Sequence, residues 1–229
     1  MNILVTGATK GIGEVIANTL EGSIFVVGRN VEKLKQYRNY FVCDLAKEVE
    51  SLGEYIADNK IDVVVNNAGE YIYKEADLLN LEDIDRLTRI NLIAPIYITS
   101  QALPYMKTQK WGRIINIGSI SGVMGEAGAN VYSATKAGLL GFTKATALEV
   151  AQFGITVNTI NPGWVDTELG NSSIEDSEFS KSEIIECIPQ RRFVSPKEIA
   201  SMVKYLISDD AKGVTGQSIN LCAGLSVGC

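Results

Sequence analysis

The chain has 229 residues, of which 46% are hydrophobic and 21% charged, and its formal net charge is −6. It contains no histidine, which excludes Ser-His-Asp triads and histidine-ligated metal sites, and we expect no metal site of any kind. The 21 basic residues are scattered along the chain and outnumbered by 27 acidic ones, so nucleic acid is not an expected partner.

The cysteines and the first residues indicate a cytoplasmic protein. Cys43, Cys187, Cys222 and Cys229 lie far apart and form no CxxC pair, which is typical of a reduced protein. The first residues lack a basic and then apolar leader, and no run reaches the roughly 18 apolar residues of a membrane span. We therefore expect a cytoplasmic location and no membrane partner.

Short apolar runs alternate with segments of helical spacing. The runs are rich in Val and Ile without polar alternation, which is typical of strands buried on both faces of a sheet. The predicted strands are residues 2–5, 24–27, 40–43, 62–65, 113–117, 156–160 and 218–221. The predicted helices are residues 13–20, 31–36, 48–57, 81–106 with a break near Pro95, 131–151 and 196–206. This alternation predicts an α/β fold with a parallel, doubly wound sheet, and the length favours a single domain over residues 1–229.

Residues 168–190 interrupt the alternation with a polar and acidic stretch. Gly170, Asn171, Ser172 and Ser173 are followed by a weakly helical segment at 180–187. An insertion just after a strand end is either a lid over a pocket or a solvated excursion. The composition leaves both interpretations open.

A glycine-rich turn, Thr6-Gly7-Ala8-Thr9-Lys10-Gly11-Ile12-Gly13, follows the first predicted strand and leads into a helix. Glycines allow the backbone to approach a pyrophosphate closely, and a helix N-terminus offers free N–H groups to an anion. A lone glycine pattern can also be a purely structural turn. Its position after the first strand of a βαβ series favours dinucleotide binding.

Four motifs together resemble the short-chain dehydrogenase/reductase family. They are the glycine-rich turn, Asn66-Asn67-Ala68-Gly69 after the fourth strand, Ser119, and Tyr132-x-x-x-Lys136. The resemblance extends from Asn2 to the last predicted strand. It implies a Rossmann-type domain with seven parallel strands, flanked by helices, that binds a nicotinamide dinucleotide. It also places residues 168–190 over the substrate, which favours the lid.

The resemblance further implies a set of cofactor-binding residues. They are Gly7, Thr9, Lys10, Gly11, Ile12 and Gly13 in the turn, Arg29, Asp44 and Leu45 at the adenosine, Asn67, Ala68 and Gly69 near its ribose, and Tyr132, Lys136, Pro162, Gly163, Val165 and Thr167 at the nicotinamide end.

The end of the second predicted strand bears on which nucleotide is bound. It reads Gly28-Arg29-Asn30, without the acid that usually holds the ribose hydroxyls of NAD. Arg29 can contact a 2'-phosphate, and Lys10 matches a position where family members that prefer NADP often carry a base. Each could instead be a solvated surface cation. Two such cations, with no competing acid there, favour NADP(H) over NAD(H).

Tyr132 and Lys136 are four residues apart in a predicted helix, so their side chains share one face. An adjacent ammonium is expected to lower the pKa of Tyr132 from its ordinary value of about 10. The resemblance implies that Tyr132 exchanges a proton with the substrate oxygen, and that Lys136 tunes it and holds the nicotinamide ribose. It implies that Ser119 hydrogen-bonds the substrate oxygen and that Asn91 holds a water linking Lys136 to solvent. Singly, these residues could be a surface pair, a turn hydroxyl and a helix-bonded amide; jointly they indicate a catalytic site.

The substrate is less defined. Residues 132–144 and 154–158 and the Pro162-Gly163 pair resemble the 3-oxoacyl carrier-protein reductases, but such segments mostly bind cofactor. Lys110 and Arg113 lie in a region suited to an acidic carrier protein, whereas Phe153 replaces a base and the charge of −6 repels such a partner. Glu126 and Trp164 would instead suit a small free ketone, sugar or cyclic polyol. Both substrate classes stay open, and a non-catalytic NADP(H)-binding sensor is disfavoured because Tyr132 and Lys136 are both present.

The fourth and fifth predicted helices, residues 81–106 and 131–151, carry more apolar residues than one core-facing side needs, so we expect the chain to form an oligomer. They are Ile96, Ile98, Leu139, Leu140 and Phe142, which would pair with a second subunit or pack in the core. The family resemblance implies a homotetramer or homodimer.

Overall fold

Seven parallel strands form one sheet in the computed structural model, in the order β3-β2-β1-β4-β5-β6-β7. The structure describes residues 1–175 and 180–228. The strands are β1 (Asn2–Thr6), β2 (Ser23–Gly28), β3 (Asn39–Val42), β4 (Val63–Asn66), β5 (Gly112–Ile117), β6 (Ile155–Pro162) and β7 (Ser218–Leu221). Every residue of β4, β5 and β6 is buried, as expected for the central strands of a parallel sheet covered on both faces. The prediction of a doubly wound, seven-stranded α/β fold is confirmed.

Helices cover both faces of the sheet. They are α1 (Gly11–Thr19), α2 (Val31–Leu34), α3 (Leu52–Asp58), α4 (Leu81–Thr88), α5 (Ala94–Gln109), α6 (Ser121–Met124), α7 (Asn130–Val150), α8 (Glu168–Glu175), α9 (Lys181–Cys187) and α10 (Pro196–Leu206). Apolar side chains of α1 and α10 form one core against the sheet, and those of α3, α5 and α7 form the other. Among the described residues, no helix is both long and apolar enough to cross a membrane.

The α-helical pattern is interrupted just before Pro95, as predicted for residues 81–106. A π-helical turn, Arg89–Ile93, joins α4 to α5, and the helix continues through Pro95. The amide of Ala94 donates to the carbonyl of Arg89, five residues earlier. This wider turn comes just before a proline, which has no amide hydrogen for an ordinary α-helical bond.

The segment predicted as a lid or a solvated excursion contains two helices, α8 and α9. Helix α9 begins with a capping box in which Ser180 and Glu183 bond each other's backbone amides. Ile184 and Ile188 are buried in the core beneath α1 and α10, so this part of the segment is packed and not a solvated excursion. Residues 176–179 of the predicted lid lie outside the described residues.

The strand order creates a crevice at one edge of the sheet. The chain runs outward from β1 to β3 and then crosses back to β4 on the other side of β1. Loops after β1 and β4 therefore diverge to opposite faces, and the carboxyl ends of these strands border an open crevice.

Candidate active site

A cavity of about 420 Å³ lies along the carboxyl edge of the sheet. It is lined by nearly all the residues that the sequence places at cofactor or substrate: Gly7, Thr9, Lys10, Gly11, Ile12, Arg29, Asp44, Leu45, Asn67, Ala68, Gly69, Ser119, Tyr132, Lys136, Pro162, Gly163, Val165 and Thr167. Gly13 and Asn91 lie behind this lining, in contact with Asn67 and Gly69 respectively. Segments scattered over the whole chain thus converge on one site.

The glycine-rich turn packs tightly against the loop after β4. Gly7 and Gly11 have φ angles of +68° and +58°, which favour glycine. A Cβ on Gly13 would lie 2.3 Å from Nδ2 of Asn67, so no side chain fits there. Lys10 makes no side-chain cap to α1, which leaves the first amides of that helix available. These features fit the pyrophosphate of a dinucleotide at the N-terminus of α1.

The two predicted phosphate-binding cations pair with carboxylates distant in sequence. Lys10 Nζ lies 3.0 Å from Oε1 of Glu168, the first residue of α8. Arg29 lies 3.1 Å from Oε1 of Glu70, which also accepts from Arg86 at 2.7 Å. The end of β2 itself carries no acid, as predicted. Carboxylates from other parts of the chain nevertheless form ion pairs with both Lys10 and Arg29.

Helix α7 presents the predicted catalytic pair. Lys136 Nζ lies 5.6 Å from the centre of the Tyr132 ring and donates to the carbonyl of Ile117 at 2.9 Å. The Lys136 side chain is buried, whereas the Tyr132 ring is partly exposed and packs edge-on against the ring of Tyr71 at 5.1 Å between centroids.

A buried polar ladder holds α7 against the sheet. Asn66 Nδ2 donates to Asn116 Oδ1 and Asn116 Nδ2 donates to Thr143 Oγ1, each at 2.9 Å. Thr143 and Thr159 share a further hydrogen bond of 2.7 Å. The ladder joins β4, β5, α7 and β6, so the orientation of the Tyr132 helix is fixed by bonds that are costly to break in the interior.

The pKa of Tyr132 differs from the expectation. Burial raises it to about 12, with the hydrogen bond to Ser119 acting to lower it and the charge of Glu126 to raise it. Burial also lowers the pKa of Lys136 to about 8. The expected lowering of the Tyr132 pKa is therefore wrong for the protein without cofactor, because desolvation of the phenolate outweighs the stabilising contacts.

Asn91 lies in the π-helical turn and is completely buried. Its Oδ1 accepts from the amide of Glu70 and its Nδ2 donates to the carbonyl of Glu70, both at 2.9 Å. A Cβ on Gly69 would lie 3.0 Å from Asn91 Oδ1 and 3.4 Å from Lys136 Nζ. The side chains of Asn91 and Lys136 thus both lie next to Gly69, and the Asn91 side chain bonds the backbone of the loop after β4.

Sequence reasoning missed Tyr71 and Ser121, which hold Glu126 in the cavity. Tyr71 Oη donates to Glu126 Oε1 at 2.8 Å, and Ser121 Oγ donates to Oε2 at 2.5 Å. Ser119 Oγ in turn donates to Ser121 Oγ at 3.0 Å. The proximity of Ser121 to Ser119 in sequence was a usable signal for it, whereas nothing local points to Tyr71.

Comparisons with known proteins agree with this geometry. A family model described as enoyl-(acyl carrier protein) reductase matches residues 7–226. The 3-oxoacyl-[acyl-carrier-protein] reductase FabG of Rickettsia felis is 37% identical, over 97% of this chain and 95% of its own length. The chain belongs to the short-chain dehydrogenase/reductase family. As a family member it is an NAD(P)-dependent oxidoreductase that acts on CH–OH or keto groups.

Solved structures of the family superpose along nearly the whole chain. A variant of an actinorhodin polyketide ketoreductase with NADPH has a TM-score of 0.93 and 38% identity, covering 99% of this chain and 97% of its own. A putative NAD(P)-dependent gluconate 5-dehydrogenase from Beutenbergia cavernae, with bound NADP, has a TM-score of 0.92 and 29% identity, covering 98% and 96%. Relatives with this fold are therefore named for different carbonyl substrates.

The expectation that Lys110 and Arg113 could face a carrier protein beside the cavity needs correction. Arg113 is 2% exposed, stacks on Trp111 at 4.4 Å and bonds the carbonyls of Gly112 and Gly154. Arg113 is the second residue of β5, and Lys110 directly follows the last residue of α5. Both therefore lie at the edge of the sheet opposite the cavity.

The apolar residues expected to meet a second subunit or to pack in the core divide between these two alternatives. Ile98 and Leu139 are each 1% exposed and already buried within the chain. Leu140 and Phe142 are partly exposed, and Ile96 is exposed.

Proposed function

We propose that the protein is an NADP(H)-dependent oxidoreductase that interconverts a ketone and a secondary alcohol, with Tyr132 as the proton donor in reduction. The observation that carries this proposal is the placement of Ser119, Tyr132 and Lys136 in one cavity with the uncapped N-terminus of α1. When bound, the reduced nicotinamide supplies a hydride to the carbonyl carbon. The chain's own residues supply the proton and hold the substrate oxygen.

In this proposal the hydroxyls of Ser119 and Tyr132 donate to the carbonyl oxygen, and the Ser119 proton turns from Ser121 Oγ to that oxygen. Tyr132 gives its proton to that oxygen as the alcohol forms, and takes it back in oxidation. Lys136 Nζ, held by the carbonyl of Ile117, stabilises the phenolate and binds the nicotinamide ribose. Asn91 retains its expected role in holding a water that links Lys136 to solvent.

A preference for NADP(H) is supported by Arg29 and Lys10, which line the cavity. The two similar structures described above contain NADPH or NADP. Glu70 and Glu168 must release these cations, at least in part, for a 2'-phosphate to bind them. An arginine is well suited to such a contact because its planar guanidinium bonds two phosphate oxygens at once.

Two substrate classes have support. Similarity to FabG over nearly the whole chain favours a 3-oxoacyl thioester. The carboxylate of Glu126 in the cavity favours a small hydroxylated ketone, such as a sugar or cyclic polyol derivative.

We also propose a cytoplasmic homodimer or homotetramer, in which the exposed apolar residues Ile93, Ile96 and Leu148 meet a second copy.

Tyr132→Phe tests the assigned proton donor. We expect at least a 100-fold loss of turnover, because general acid catalysis contributes about 100- to 10,000-fold. The dissociation constant of NADPH should stay within about twofold, since the ring is retained. The measurement uses wild type and variant with a panel of β-ketoacyl thioesters, diketones and keto sugars, each with NADPH and NADH. Activity retained in the variant would remove Tyr132 from this role.

A further inference from the structure

Glu126 is a charged side chain that lines the cavity together with Tyr132. Met124, Trp164 and Leu225 are apolar residues that line the same cavity. Glu126 is partly exposed into it, and none of the ion pairs found among residues 1–175 and 180–228 includes its carboxylate. A carboxylate next to apolar walls is stabilised by hydrogen-bond donors.

The carboxylate is held in place but not saturated. Tyr71 and Ser121 each donate to a different oxygen of Glu126. Burial, together with the bond to Glu126, raises the pKa of Tyr71, which keeps this phenol protonated as a donor. An ionised carboxylate has about four acceptor positions, so two remain for a ligand in the cavity.

The position of Glu126 relative to the reacting group follows from the hydrogen bonds. Ser121 bonds both Glu126 and Ser119, so the carboxylate lies two hydrogen bonds from the hydroxyl assigned to the substrate oxygen. The charge of Glu126 also acts on Tyr132, so the carboxylate lies close to the oxygen of a ketone held by Ser119 and Tyr132. In the proposed binding mode, one of the two carbons next to the carbonyl points toward Glu126. An aliphatic carbon there would leave the free acceptor positions unpaired, and a substrate carboxylate would be repelled.

We propose that Glu126 is a specificity-determining residue that accepts a hydrogen bond from a donor, a hydroxyl or an ammonium, on the carbon next to the reacting carbonyl. This inference rests on the proposed function and selects the hydroxylated ketone over the acyl thioester within it. Tyr71 and Ser121 act as positioning residues that fix the carboxylate.

The experiment compares three matched ketones, cyclohexanone, 2-hydroxycyclohexanone and 2-aminocyclohexanone, with acetoacetyl-pantetheine as the thioester. In the wild type with NADPH, we expect kcat/KM for the hydroxy ketone to exceed that for cyclohexanone about 10- to 100-fold, the usual value of a hydrogen bond to a charged group. Glu126→Ala should abolish this advantage, so that the ratio of kcat/KM for the hydroxy ketone to that for cyclohexanone falls to about one. Glu126→Gln should weaken the amino ketone most, because the charge is lost. Glu54→Gln, an exposed residue of α3, is the matched control and should change nothing.

Several results would overturn the inference. These are equal kcat/KM for the hydroxy ketone and cyclohexanone in the wild type, an advantage that survives Glu126→Ala, or reduction of the thioester alone. In each case the proposed function stands. If Glu126→Ala and Glu126→Gln lowered kcat/KM equally for all substrates while circular dichroism showed intact folding, the role of Glu126 would be purely structural. That result would also overturn the inference. Only the absence of turnover for every carbonyl compound with both nucleotides would reject the proposed function itself.

Discussion

Lys136 shows how a single residue trades stability for chemistry. Its side chain is 4% exposed, its Nζ bonds the carbonyl of Ile117, and no ion pair within residues 1–175 and 180–228 includes it. Burial lowers its pKa from 10.5 to about 8. Between these pH values the unfolded chain binds a proton that the folded protein does not, so folded stability rises with pH there. Below pH 8 the cost of burying the ammonium is fully present.

Lys136→Met should therefore stabilise the protein at pH 7. We expect a gain of about 1–3 kcal/mol in the free energy of unfolding, after allowing for the lost bond to Ile117, and a loss of activity. The gain should shrink as the pH rises from about 8 toward 10.5. Denaturant unfolding from pH 6 to 10 measures it, with Lys144→Met, an exposed lysine on the same helix, as control. A difference between Lys136→Met and wild type that does not vary with pH would contradict the account.

Residue types and spacing predict which side chains share a site better than they predict its electrostatics. Tyr132 and Lys136 are identified by their i, i+4 spacing and by the distance to Ser119. The direction of the Tyr132 pKa shift is not, because it depends on how much water the folded cavity excludes. The Tyr71–Glu126 bond joins residues 55 apart in sequence, so it exists only once the fold has formed.

At the scale of elements, local pattern determines the strands and most helices. Val- and Ile-rich runs predict β5 and β6 to within two residues, although Thr156, Asn158 and Thr159 interrupt the apolar residues of β6. The π-helical turn Arg89–Ile93 has no comparable local signal. Its buried residue, Asn91, bonds the backbone of Glu70, which belongs to a distant loop. The pairing of α8 with the glycine-rich turn is likewise a tertiary contact, made by Glu168 and Lys10.

This contact leads to a prediction for Glu168→Gln. Both side chains are more than half exposed, so the ion pair contributes little to stability. The Glu168 carboxylate lines the cofactor cavity, where it engages Lys10 and repels phosphate. We expect the variant to bind NADPH a few-fold more tightly with an unchanged melting temperature, measured by fluorescence titration and thermal unfolding. Glu32→Gln removes a similar exposed pair with Lys35 and should leave affinity unchanged. Unchanged or weaker binding by Glu168→Gln would show that α8 does not compete for the cation.

At the scale of the whole molecule, the parallel sheet brings the ends of six strands to one cavity. The cavity includes residues at or just after the ends of β1, β2, β3, β4, β5 and β6. A ligand that needs all these loops binds the folded state alone, so its affinity adds directly to global stability. Arg29 directly follows β2, and its ion pair with Glu70 links this strand end to the loop after β4.

Cofactor preference should consequently be visible in thermal unfolding without any substrate. A ligand at 100 times its dissociation constant adds about 2.7 kcal/mol, which for a chain of this size raises the melting temperature by roughly 5–10 °C. We expect NADPH to stabilise the wild type more than the same concentration of NADH, because Arg29 binds the 2'-phosphate. Arg29→Asp should reverse this order, since its carboxylate repels the phosphate and accepts from ribose hydroxyls. Lys212→Asp makes the same charge change at an exposed residue outside the cavity lining and should preserve the order. If both nucleotides stabilise the wild type equally, or if Arg29→Asp keeps the preference for NADPH, the 2'-phosphate is not recognised by Arg29.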